Sequence, residues 1–162
     1  MLTTVVVVFA VNLTTSETHQ EKLFIASTHV WYVNSTTSVA AIELTDTGPS
    51  SAVLTKVEVN GLQCSWNGND SYVNYCEVNG TFNGDLPFQQ LSNSANTTVA
   101  VGNQQCVFAP AIEGLTVKSG NSIAFYAELP NCILVYNLAT PVNIVVSTSQ
   151  TVYCTQTIVQ ST

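Results

Sequence analysis

Apolar residues in this chain come in short runs of period two, and turn residues end each run before it reaches helical length. The runs lie at about residues 3–13, 23–33, 38–44, 53–59, 71–78, 97–101, 104–109, 114–118, 122–129, 132–138, 142–148 and 150–159. Between them stand Gly48-Pro49, Asn60-Gly61, Asn67-Gly68, Asn79-Gly80, Asn83-Gly84, Ser119-Gly120-Asn121 and Pro130-Asn131. Such dipeptides reverse an extended chain because Gly and Asn tolerate positive φ. With β-branched residues dominating the runs and no useful stretch of helical period, the expectation is an all-β fold. A single antiparallel β-sandwich, immunoglobulin-like or jelly-roll, accommodates short strands at this spacing. At 162 residues, one head domain over 23–162 is expected, preceded by a separate strand at 1–14 and a polar hinge at 15–22.

Charge is nearly absent. The chain holds 3 Lys, no Arg and 10 acidic residues, for a net charge of −7. Ser, Thr and Asn therefore have to supply the polar surface. Without a basic footprint, nucleic acid and anionic membrane are excluded as partners. Few ionised groups also leave acid few protonation-linked contributions to remove, which suits an acidic exterior. The apolar stretch at residues 5–11 falls far short of the ~20 residues of a membrane helix, so no membrane span is expected in this chain. It lacks the basic residues and cleavage site of a leader. If the protein is exported, its leader was removed upstream of this numbering or Met1 is not the biological start.

Five cysteines stand at 64, 76, 106, 132 and 154, without metal-ligand spacing, and neither metal nor cofactor is expected. Cys64 and Cys76 flank a turn-rich stretch between two strand-like runs, and a disulfide across that hairpin is the expected pairing. The remaining three, Cys106, Cys132 and Cys154, cannot all pair within one chain, so one either joins another subunit or, the preferred expectation, stays free as a buried, inert thiol. Sequons occur at Asn12, Asn34, Asn69, Asn79 and Asn96. Together with the cysteines and scarce Lys they point to an extracellular protein bearing N-linked glycans.

No catalytic residue is expected. The two imidazoles, His19 and His29, lack a nucleophile motif or metal partners, and no phosphate or dinucleotide loop is present. Trp31, Tyr32, Trp66, Tyr72 and Tyr75 cluster in two places, which suits either core packing or the sugar platform of a secreted carbohydrate-binding or adhesion module.

Residues 3–13 are the most constraining stretch for function. They are uncharged, rich in Val and free of Pro and Gly, so exposed in water they would seek a partner. Their odd positions, Val5, Val7, Phe9, Val11 and Leu13, form the bulkier face, while Asn12 lies on the even face. Two partners fit: the chain's own sheet, or the exposed sheet edge of a neighbouring copy. The second arrangement is head-to-tail and does not close, so it propagates into a fibre of identical subunits.

An apolar N-terminal β tail, a polar hinge, and a weakly charged, sequon-bearing, Thr- and Asn-rich β domain together resemble the archaeal thread filament subunit. That subunit is a glycosylated pilin polymerised by donor-strand complementation. The resemblance lies in organisation over the whole chain rather than in one motif. It differs from archaeal type IV pilins, whose long apolar N-terminal helix residues 5–11 are too short and too β-branched to form. It implies a type I pilin-like sandwich on the archaeal cell surface, no enzymatic role, and Val5, Val7, Phe9, Val11 and Leu13 as donor residues serving an adhesive filament.

Overall fold

A computed structural model describes residues 20–66, 72–91, 96–129 and 132–162. Within them the chain forms strands β1 (Leu23–Asn34), β2 (Thr37–Asp46), β3 (Ala52–Val59), β4 (Leu62–Gln63), β5 (Tyr72–Asn79), β6 (Thr97–Val101), β7 (Gln104–Pro110), β8 (Thr116–Val117), β9 (Asn121–Leu129), β10 (Pro141–Thr148) and β11 (Val152–Ser161). One hydrogen-bonded path runs β4-β3-β10-β11-β1-β2-β9-β5-β7-β6, with β8 attached to β3. The protein is all-β, and its sheet does not close.

The path curls over itself, and the curl makes two cores. In the inner core, Leu54, Val57 and Val59 of β3 and Ile144 and Val146 of β10 meet Ile42 and Leu44 of β2 and Ile123 and Phe125 of β9. The outer core lies on the other side of β2 and β9. There Val39, Ala41, Ala124 and Tyr126 are covered by Phe82, Leu86 and Leu91 and by Val99, Val101, Cys106 and Phe108 of the β6–β7 hairpin. Two-sided burial explains why β2 reads as a nearly continuous apolar run rather than an alternating one. Each large side chain so buried contributes ~1.5–3 kcal/mol. The Tyr126 hydroxyl, carried into the outer core, donates to the Pro87 carbonyl at 2.7 Å, which offsets its desolvation.

Close backbone approach holds the covering loop in place. A Cβ on Gly84 would stand 2.6 Å from the Gly102 Cα, so the loop can rest on the β6–β7 turn only because both positions are glycine.

Three expectations need correction. Cys76 is bonded to Cys106, not to Cys64, with Cα atoms 6.1 Å apart, and Cys64 is buried without a disulfide partner in this structure. The two residues expected to pair lie in different layers: β4 turns Cys64 into the inner core, whereas Cys76 points from β5 into the outer one. Next, the sheet is not wholly antiparallel, because β1 and β11 pair in parallel. β11 reaches β1 from the far end of the chain, so no hairpin sets their relative direction. Finally, the apolar run at 132–138 forms no strand. Asn137 Oδ1 accepts from the Leu134 N–H at 2.8 Å and Thr140 Oγ1 donates to the Asn137 carbonyl at 2.6 Å. These local bonds close a 3-10 turn over Val135–Asn137 that buries Cys132 and Ile133 and leaves Tyr136 exposed.

Candidate functional site

β1 and β11 are hydrogen-bonded at Val30↔Val159, Trp31↔Gln160 and Tyr32↔Ser161. Below that point they part. Residues 23–29 have strand partners only in β2, and residues 152–158 only in β10. A register shift between Ile25 and Ser27 marks a bulge in β1, and a bulge bends its strand and increases the local twist. The result is a wedge whose two walls are each about 23 Å long at ~3.3 Å per residue.

Side chains cross the wedge where a sheet would have ladder bonds. Tyr153 Oη accepts from the Leu23 N–H at 3.2 Å, and Thr157 Oγ1 donates to the Thr28 carbonyl at 2.9 Å. A phenol bridging the gap means that the backbones stand well beyond the ~4.8 Å of paired strands. The wide mouth is a cavity of about 560 Å³ lined by Gln20, Glu21, Lys22, Gln150, Thr151 and Tyr153. A second space of about 270 Å³ adjoins it, between Leu23, Phe24 and Ile25 on one wall and Tyr153, Cys154 and Thr155 on the other.

The floor and the lip of the wedge differ in character. Leu23 belongs to the inner core, with Ile25 and Tyr153 packed against it. Phe24, Val152 and Ile158 face outward and are 61%, 59% and 58% exposed. At the mouth Glu21 is buried. One of its carboxylate oxygens accepts from Thr148 Oγ1 and the other, Oε2, has no hydrogen-bond partner. The facing edges thus offer main chain without a strand partner beside an apolar floor, which is what an added β-strand requires.

A polar cluster lies at the rim of the outer core. His29 Nε2 is 2.7 Å from Asp85 Oδ1, and Ser27 Oγ donates to the same oxygen at 2.8 Å. Partial burial pushes the Asp85 carboxyl up, but the His29 and Ser27 hydrogen bonds and the His29 charge outweigh it and hold the carboxyl below its ordinary value. Glu43 nearby is raised, first by burial and then by Asp85. His29 also stacks on Trp31 at 5.1 Å between ring centroids, and Trp31 meets Phe88 edge-on. Serine and aspartate share one imidazole nitrogen, while the buried Nδ1 has no hydrogen-bond partner. In a nucleophilic triad the carboxylate would hold the nitrogen opposite the serine. The cluster instead clasps the 82–91 loop onto β1.

The expected site residues divide by position. Val5, Val7, Phe9, Val11, Leu13 and the sequons at Asn12 and Asn69 lie outside the described residues. Asn34, Asn79 and Asn96 are exposed. Asn34 Oδ1 accepts from both Thr36 N–H and Thr36 Oγ1, closing an Asx-type turn at the end of β1. Of the aromatic residues, Trp31 and Trp66 are buried in the cores, and Tyr72 is engaged by Glu128 at 2.7 Å. Among the described residues no cluster of His, Cys, Asp or Glu could hold a metal ion, and no helix is long and apolar enough to cross a membrane.

The wedge was not anticipated from the sequence. Its one signal is that β11 turns Tyr153, Thr155 and Thr157 inward, a weaker inner face than those of its neighbours.

No protein-family model matches the chain, and no curated protein matches its sequence.

Proposed function

We propose that this protein is the subunit of an extracellular filament in which residues 3–13 of one copy fill the β1–β11 wedge of the next. The observation that carries the reading is the wedge itself, an interrupted strand pair whose two walls have no strand partner across the gap. At ~3.3 Å per residue the eleven residues of the tail reach about 36 Å, enough to run the length of either wall. Its odd face would lie on Leu23, Ile25 and Tyr153, and its backbone would replace the Tyr153 and Thr157 bridges with ladder bonds. An apolar face, a missing strand and a segment that alternates in the required way are thus present in one chain. The all-β fold and the Cys76–Cys106 disulfide suit an oxidising, extracellular setting, and an adhesive role follows only from the resemblance to archaeal thread subunits.

Electron micrographs of purified protein should show fibres of this one polypeptide. Removal of residues 1–13 should abolish them, and Phe9→Asp should do the same by bringing a charge into an apolar slot. Ala10→Ser, on the opposite face, should polymerise normally. Monodisperse particles for the intact chain, or unaltered fibres from the truncated one, would refute the proposal. Site-resolved mass spectrometry of the native protein should find added glycan mass at Asn34, Asn79 and Asn96, and unmodified asparagine at all three would remove the glycoprotein reading for the head.

A further inference from the structure

Two cysteines converge on one stretch of β3. The β3–β4 register, Glu58↔Gln63 and Val59↔Leu62, places Cys64 opposite Val57 one step further on, and the Cys64 N–H donates to the Val57 carbonyl at 2.8 Å. Cys132 arrives from the β9–β10 connection. Its Sγ donates to the Val59 carbonyl at 2.9 Å, and its own carbonyl accepts from Asn60 Nδ2 at 3.2 Å. Val57 and Val59 are alternate residues of β3 and both are fully buried, so they share one face. Both cysteines are buried in that same inner core, with relative exposures of 1% and 5%. Burial raises the Cys64 thiol, and the charge of Cys132 raises it further.

We propose that Cys64 and Cys132, separate thiols in this structure, become joined as a second disulfide when the chain is oxidised, an assignment independent of the filament reading. The oxidant is a small-molecule disulfide of the glutathione class. The thiolate of one cysteine attacks the oxidant, expelling one reduced thiol and leaving a mixed disulfide. The second cysteine then displaces the other thiol, so two protein thiols are oxidised, one oxidant disulfide is reduced to two thiols, and the protein loses two hydrogen atoms. Burial lifts the Cys132 thiol to about 11, so little thiolate exists in the finished fold and the exchange belongs to the folding chain. The consequence is one covalent tie per layer: Cys76–Cys106 in the outer core, Cys64–Cys132 in the inner. Cys154, exposed at the wedge, is left as the one thiol.

The test uses the full chain, both as isolated without reductant and after reduction, unfolding and refolding in mixed oxidised and reduced glutathione. Each sample is acid-quenched, unfolded and alkylated with iodoacetamide before mass spectrometry. One label, on Cys154, and a linked peptide pair containing Cys64 and Cys132 are expected in both samples. Cys64→Ser should raise the count to two by releasing Cys132, and Cys154→Ser should lower it to none. Three labels in the wild type with Cys76–Cys106 intact, or either buried cysteine linked to Cys154, would overturn the assignment.

Discussion

Asp85 shows how a single residue can hold a layer together and make that hold depend on pH. Its carboxyl is kept below the ordinary aspartate value by His29 and Ser27, so its contribution to stability is present above that ordinary value and disappears as pH falls through the lowered one. Glu43 works in the opposite sense: its raised carboxyl favours the fold below its ordinary value, and that support is lost as pH rises through the raised one. Asp85 is largely exposed, so solvent screening limits the pair to about 0–1 kcal/mol. Asp85→Asn should therefore lower the thermal midpoint slightly near neutrality and leave it unchanged in strong acid. Melting curves across pH measure this, and an equal loss at every pH would mean that the aspartate acts by shape rather than by charge. Cys76 acts at the same scale with greater force. β5 and β7 pair only at Asn74↔Pro110 and Tyr75↔Ala109 before β7 turns away, so the disulfide fastens a short junction. Cys76→Ser should cost about 3–4 kcal/mol in guanidinium unfolding without reductant. A wild-type protein as stable as the variant under those conditions would show that the bond contributes nothing.

At the scale of elements, strand positions were largely readable from the residues. The run at 53–59 became β3, and the Asn60-Gly61 turn after it takes positive φ at both residues, 52° and 77°, as a tight hairpin requires. The runs at 97–101 and 104–109 became the β6–β7 hairpin, which turns at Gly102 with a φ of 57°. What could not be read was which side of each strand would be covered. A chain that buries both faces of β2 and β9 separates cysteines that look adjacent in sequence, and no local pattern reveals two cores in place of one. The run at 132–138 failed similarly, since Asn137 and Thr140 satisfy backbone groups locally and its apolar residues need only one buried pair, Cys132 and Ile133. The wedge is a relation between the first and last described strands. Strand composition could show that β11 had a weak inner face, but not that β1 would leave it unpaired.

At the scale of the molecule, a sheet interrupted between β1 and β11 and a tail patterned as a strand account for each other if the tail of one copy completes the next. Each of Val5, Val7, Phe9, Val11 and Leu13 would add ~1.5–3 kcal/mol on burial, offset by the ordering of the tail. Cys154 offers a direct probe, because it is exposed on the β11 wall and alternates with Tyr153 and Thr155, so it stands on the opposite face of the strand from them. A tail cysteine on the even face, introduced as Val6→Cys, Val8→Cys, Ala10→Cys or Asn12→Cys, would share that outer side, whereas Val7→Cys or Phe9→Cys would point to the floor. Mild oxidation followed by non-reducing gel electrophoresis should give a ladder of dimers, trimers and higher species from at least one even-face variant, lost with Cys154→Ser and weak for the odd-face ones. A band that stays monomeric, with peptide mapping that links the new cysteine to Cys154 of the same chain, would contradict the account.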